Sequence, residues 1–172
     1  MSAIESYRKA GPRHESFAML VGDWSMSMTV WDTEGTIVAQ TTDMSASKRL
    51  VHEGRYVRED VIGRFETGPH EKTTMLGFNN IRNRYEYMTA DNYDAVILLY
   101  TSAPGADLDD RRIEVFADYV YAGDEPKPSG TLVTIRTIIE VESQDRHVLT
   151  NYYNAPGAPE YRFLRYEYKR RS

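Results

Sequence analysis

At 172 residues the chain has the length of one domain, with enough mass to bury a core or to enclose a pocket. It contains no cysteine, which excludes disulfide scaffolds, thiolate metal sites and cysteine nucleophiles together. A net charge of −5, with 27% charged residues of both signs, excludes the strongly basic surface that holds nucleic acid by phosphate neutralisation.

The start, Met1 to Lys9, is polar and charged, without the apolar stretch of a secretory signal. Residues 1–10 are expected to pack loosely. No later run approaches the roughly 20 apolar residues needed to span a bilayer, so a cytoplasmic protein with no membrane partner is expected. A short helix follows. Pro12 suits its first turn, Phe17, Leu20 and Val21 recur at helical spacing, and Gly22 is read as its stop.

From Trp24 onward the period changes to two, and about ten strands of roughly 8 to 12 residues are expected. Trp24, Met26, Met28 and Val30 share one face of the first. Val57, Glu59 and Val61 share a face opposite Arg58 and Asp60, which carries a carboxylate inward if that face lines the interior. Tyr85 pairs in this way with Tyr87. Ile113, Val115, Ala117, Tyr119 and Tyr121 alternate in one strand, and Val133, Ile135, Ile139 and Val141 in the next. Leu164, Tyr166 and Tyr168 alternate in the last.

Turn chemistry marks Asp32 to Gly35, Gly54, Gly68 with Pro69, Asn79 to Asn83, Pro104 to Asp110, Asp124 to Gly130, Ser143 to Asp145 and Pro156 to Pro159. No connection is long enough for a crossover helix, so successive strands should pair antiparallel. Closing such a meander on itself removes both exposed edges. The predicted fold is therefore all-β, one antiparallel up-and-down barrel over 1–172, closed at one end by the short helix. Its lumen should be wide enough for a small ligand.

The helix-to-strand junction Leu20-Val21-Gly22-Asp23-Trp24 resembles the opening of lipocalins and related calycins, in which the Trp plugs the closed barrel end. More of the chain resembles the bacterial domain-of-unknown-function family 1579. The matching segments are Gly11-Pro12-Arg13-His14-Glu15, Val21 to Trp24, Arg49-Leu50 with Gly54-Arg55-Tyr56, Gly77-Phe78-Asn79-Asn80 with Arg84-Tyr85, and Asp145-Arg146-His147. The resemblance implies a calycin-like barrel and no particular activity. The lipocalin Thr-Asp-Tyr motif is missing, and the candidates for the last-strand basic residue that covers the Trp are Arg162 and Arg165.

His14, His52, His70 and His147 lack the close helical spacing of a metal site, so surface or capping histidines are expected and no metal or cofactor is called for. His147, after a tight turn, is the one position to test against a single haem ligand. Lys169, Arg170 and Arg171 read as a solvated tail. There is no nucleophile elbow, P-loop or dinucleotide fingerprint.

The thirteen tyrosines suit half-buried positions. The leading expectation is a binding module for a small apolar or amphipathic ligand, lined by Trp24, Met26, Met28, Tyr85, Tyr87 and Tyr166, with Glu59 supplying polarity. Glu59 is read either as a group raised in pKa by desolvation or as a paired buried carboxylate. The alternatives are a cofactor-free isomerase or lyase using Glu59 and a tyrosine, and a filled barrel acting as a homodimer.

Overall fold

The computed structural model describes residues 7–105, 108–120 and 130–172. The chain enters through a one-turn helix, α1 (Pro12–Glu15), extended by a 3-10 turn over Ser16–Met19. His14 anchors it. Its Nδ1 accepts the Gly11 N–H at 3.0 Å, so the ring proton lies on Nε2, which donates to the Phe78 carbonyl at 3.1 Å. The helical turns end at Met19, and Gly22 is the first residue of the barrel rather than a helix stop.

Ten strands follow among the described residues: β1 (Gly22–Trp31), β2 (Ile37–Val51), β3 (Tyr56–Phe65), β4 (Gly68–Asn79), β5 (Arg84–Asp91), β6 (Ile97–Thr101), β7 (Arg112–Val120), β8 (Leu132–Ser143), β9 (Arg146–Asn154) and β10 (Tyr161–Arg170). Each pairs antiparallel with the next, and β1 pairs with both β2 and β10, which closes the barrel. The all-β meander expected from the alternation is the observed architecture.

Alternation becomes burial as predicted. Trp24, Met26 and Met28 are buried along β1, as are Val57, Glu59 and Val61 along β3, and Leu164, Tyr166 and Tyr168 along β10. On the outer face of β3, Arg58 and Asp60 pair at 2.9 Å in solvent.

Three sequence-based expectations need correction. Gly68 and Pro69 open β4 instead of forming a turn, and the chain reverses at Glu66 and Thr67. A further connection over 92–96, held by Asp91 Oδ1 accepting the Tyr93 and Asp94 N–H groups, was not marked by Gly or Pro. Lys169 and Arg170 are strand residues, not tail. Tyr121 and most of the Asp124–Gly130 loop lie outside the described residues, as do residues 1–6 of the segment expected to be loose. The carbonyls of Tyr7, Arg8 and Lys9 accept hydrogen bonds from Asn80 and Arg55.

The wall has one weak seam. Most neighbouring strands share between five and ten paired positions, but among the described residues β6 pairs in register with β7 only at Thr101 and Phe116. A sheet opens first where cross-strand bonds are fewest. Amides of β6 and β7 are expected to exchange with deuterium faster than those of β8 and β9, measured by mass spectrometry on peptides from the intact chain. Equal protection around the barrel would show that side-chain packing, not the ladder, holds the seam.

Candidate functional site

The barrel interior is layered. At the helix end, Trp24 is fully buried, and its Nε1 donates to the Leu20 carbonyl at 3.0 Å. The basic residue that covers its ring is Arg170, with the guanidinium carbon 4.2 Å from the ring centroid. Arg170 also donates to the carbonyls of Val21 at 2.7 Å, Met19 at 3.3 Å and Gln144 at 2.9 Å, so one side chain ties β10 to the incoming turn. This corrects the expectation of Arg162 or Arg165. Arg162 lies over Trp31 at 3.9 Å, and Arg165 pairs with Glu167 at 3.2 Å. The same contact accounts for the glycine of Gly-x-Trp. Gly22 has φ +139°, and a Cβ there would lie 2.3 Å from Arg170 Nη1.

Above this plug sits a buried polar layer created by strand register. Lys48 on β2 lies directly across from Glu59 on β3, and Glu59 directly across from Thr74 on β4. Lys48 Nζ is 3.2 Å from Glu59 Oε1, and Thr74 Oγ1 donates to Glu59 Oε2 at 2.9 Å. An ammonium can only donate, so the 2.8 Å contact from Lys48 Nζ makes His147 Nε2 an acceptor and leaves the ring proton on Nδ1. The His147 ring stacks on Tyr168 at 4.1 Å and meets Trp24 edge-on at 4.3 Å.

The electrostatics of this layer follow from its dryness. Burial opposes ionisation of Glu59, but the fields of Lys48 and Lys72 and the hydrogen bond from Thr74 outweigh burial and hold its carboxyl below the usual range. Of the two readings of Glu59, the paired carboxylate is the one observed, and the elevated acid is not. Burial pulls Lys48 down despite Glu59. Burial, then the charges of Lys48 and Arg170, keep His147 neutral well below the ordinary histidine value.

A cavity of about 320 Å³ occupies the other half of the barrel, away from the helix. Its wall combines apolar side chains such as Val30, Phe65, Leu98 and Phe163 with His70, Lys72, Thr89, Asp91, Asn151 and several tyrosines. His70 is 3% exposed, its ring lies 4.8 Å from Phe65 and 5.4 Å from Tyr93, and neither ring nitrogen has a hydrogen-bond partner. Burial, then Lys72, holds its pKa down, so the ring is neutral.

Of the residues singled out from sequence, the structure brings Met28, Tyr87 and Tyr166 together in the wall of this cavity. Glu59 instead lines a separate void of about 20 Å³ with Lys48, Thr74 and His147, and Tyr87 borders both spaces. Trp24 belongs to the plug. Met26 is core, and the Tyr85 hydroxyl donates to Asp110, which also holds Arg13 at 2.6 Å.

Three of the four histidines, His14, His70 and His147, are buried; His14 has the capping role expected of it, and His70 and His147 depart from the expectation of surface or capping positions. His147 does not fit a haem ligand. Its ring is enclosed by Trp24, Tyr168 and Lys48, and it borders the small void alone. Sequence reasoning missed His70 and Lys72. The usable signal was their parity with Thr74 and Leu76 on β4, the same argument that singled out Glu59.

The family model described as "Protein of unknown function (DUF1579)" matches residues 9–170. The chain belongs to the DUF1579 family. No curated protein matches this DUF1579 chain. Among solved structures it resembles Rv2717c from M. tuberculosis, with a TM-score of 0.59 and 14% identity, over 95% of this chain and 100% of that one. At that identity the likeness concerns the fold alone. Among the described residues, no helix is long and apolar enough to cross a membrane.

Proposed function

We propose that this DUF1579 chain is a calycin-like binding protein that holds a small apolar or amphipathic molecule inside its barrel. The observation that carries the reading is the cavity of about 320 Å³. It lies within the roughly 300–1,000 Å³ common for small-molecule sites, and its wall is the expected mixture of apolar surface and a few polar groups. Met28 adds an adaptable surface and the tyrosines add rigid amphipathic ones.

An isomerase or lyase built on Glu59 has less support, because Glu59 borders the small void and is occupied by Lys48 and Thr74. A general acid or base must come within hydrogen-bond reach of the reacting group.

Native mass spectrometry of gently purified protein, with extraction and identification of any companion molecule, tests the reading. A reproducible stoichiometric adduct lost on denaturation is the expected result. A clean apo mass with a dimer peak would favour the homodimeric interaction protein. Attention would then pass to the outer wall, where Ile62, Ile97 and Leu99 are exposed.

A further inference from the structure

The second lysine of the interior, Lys72, differs from Lys48 in closing no ion pair within 4 Å among the described residues. It is 8% exposed, and its Nζ lies 4.6 Å from the centroid of the Tyr166 ring. Asp91 stands directly across from Lys72 in the pairing of β4 with β5, and Glu59, further along β3, is taken by Lys48 at 3.2 Å. Among the described residues no carboxylate lies within ion-pairing distance of the Lys72 ammonium.

The cavity wall also contains two acids, Asp91 and Asp94, each with one carboxylate oxygen engaged. Asp91 Oδ1 accepts the N–H groups of Tyr93 at 2.9 Å and Asp94 at 3.2 Å, and the Tyr119 hydroxyl lies 3.5 Å from Asp94 Oδ2. One position along β4 on the same inward face, His70 offers two ring nitrogens without partners. A cation held out of water without a partner opposes folding, and so does an unsatisfied imidazole. Both groups line the same cavity, next to apolar side chains from Val30, Phe65, Leu98 and Phe163.

Resting on the proposed cavity binding, we infer that the ligand is an amphipathic anion, with Lys72 Nζ and the His70 imidazole receiving a carboxylate-type head. Its apolar body lies against Phe65, Leu98 and Phe163. A charge-assisted hydrogen bond from the ammonium satisfies a cation that closes no ion pair among the described residues, and the neutral histidine contributes a single N–H donor. Tyr166 stays over the ammonium and fixes its position by a cation–π contact. A ligand without the anion covers the Lys72 ammonium and gives it no partner, which is the arrangement that rejects isosteres most strongly.

The test is isothermal titration calorimetry of the full chain with octanoate and with octanamide, which share an apolar chain and differ in charge. The expected result is binding of octanoate tighter by about tenfold or more, the usual worth of a hydrogen bond to a charged group. Lys72→Met is expected to bring the two affinities together and to leave the melting temperature unchanged or raised, because it removes an unpaired buried charge. A preference for octanoate that survives in Lys72→Met would overturn the inference, and so would a lower melting temperature, which assigns the ammonium a structural task. Equal affinities in the wild-type protein would overturn it and leave cavity binding intact. Binding of neither probe also overturns it, and a clean apo mass beside that result takes the proposed function with it.

Discussion

Replacing Glu59 by alanine is expected to destabilise the barrel by about 3–5 kcal/mol, the usual consequence of removing one member of a buried ion pair. The loss comes from what stays behind. Lys48 would be left buried without its carboxylate at 3.2 Å, and Thr74 Oγ1 would lose its acceptor at 2.9 Å. Removing both charges is a different perturbation. The double variant Lys48→Met with Glu59→Leu keeps the layer filled and removes two desolvated ions at once, so it should recover most of the lost stability. Urea denaturation of the single and double variants measures this directly. If Glu59→Ala costs under about 1 kcal/mol, the pair behaves like an exposed salt bridge and water must reach it.

Acid is expected to weaken the fold well before its carboxylates are protonated. His14, His70 and His147 are all held below the ordinary histidine value of 6.5, in each case chiefly by burial. The unfolded chain takes up these protons as the pH falls through about 6.5, whereas the folded state refuses them. Stability is therefore complete above that pH and declines from there toward the folded-state values. Each histidine kept neutral contributes a slope of about 1.4 kcal/mol per pH unit, or up to about 4 kcal/mol per unit for all three. Glu59, also held below its ordinary value of 4.5, adds a loss of the same sign at still lower pH. Unfolding midpoints at pH 7.5, 6.5 and 5.5 test the slope. A flat profile would mean that the folded histidines accept protons, against the enclosure of His147 by Trp24, Tyr168 and Lys48.

The two results bear on function through the same geometry. The Lys48–Glu59 layer and the plug around Trp24 fill one half of the barrel and leave only a void of about 20 Å³ there. His70, whose ring nitrogens have no hydrogen-bond partner, and Tyr87, whose hydroxyl has none, line the larger cavity in the other half together with Lys72. A packed base beneath an open cavity holds a site in position without crowding it.

Period-two alternation was enough to group Trp24, Met26 and Met28, Val57, Glu59 and Val61, and Tyr166 and Tyr168 on common faces, although it leaves open which face of β3 is inward. Successive side chains on a strand must point to opposite sides, so this property is local and legible in the sequence itself. The number of strands and their closure followed from turn spacing and from the cost of leaving two sheet edges open. What alternation could not determine is which inward side chains meet. The Lys48–His147 contact joins residues 99 apart, and Arg170 reaches Val21 across 149 positions, through the pairing of β1 with β10 that closes the barrel. Those meetings depend on register between strands. Register is set by the whole closed sheet, so only the tertiary structure could show that Glu59 is paired with Lys48 in a buried layer and that Lys72 and His70 face the cavity.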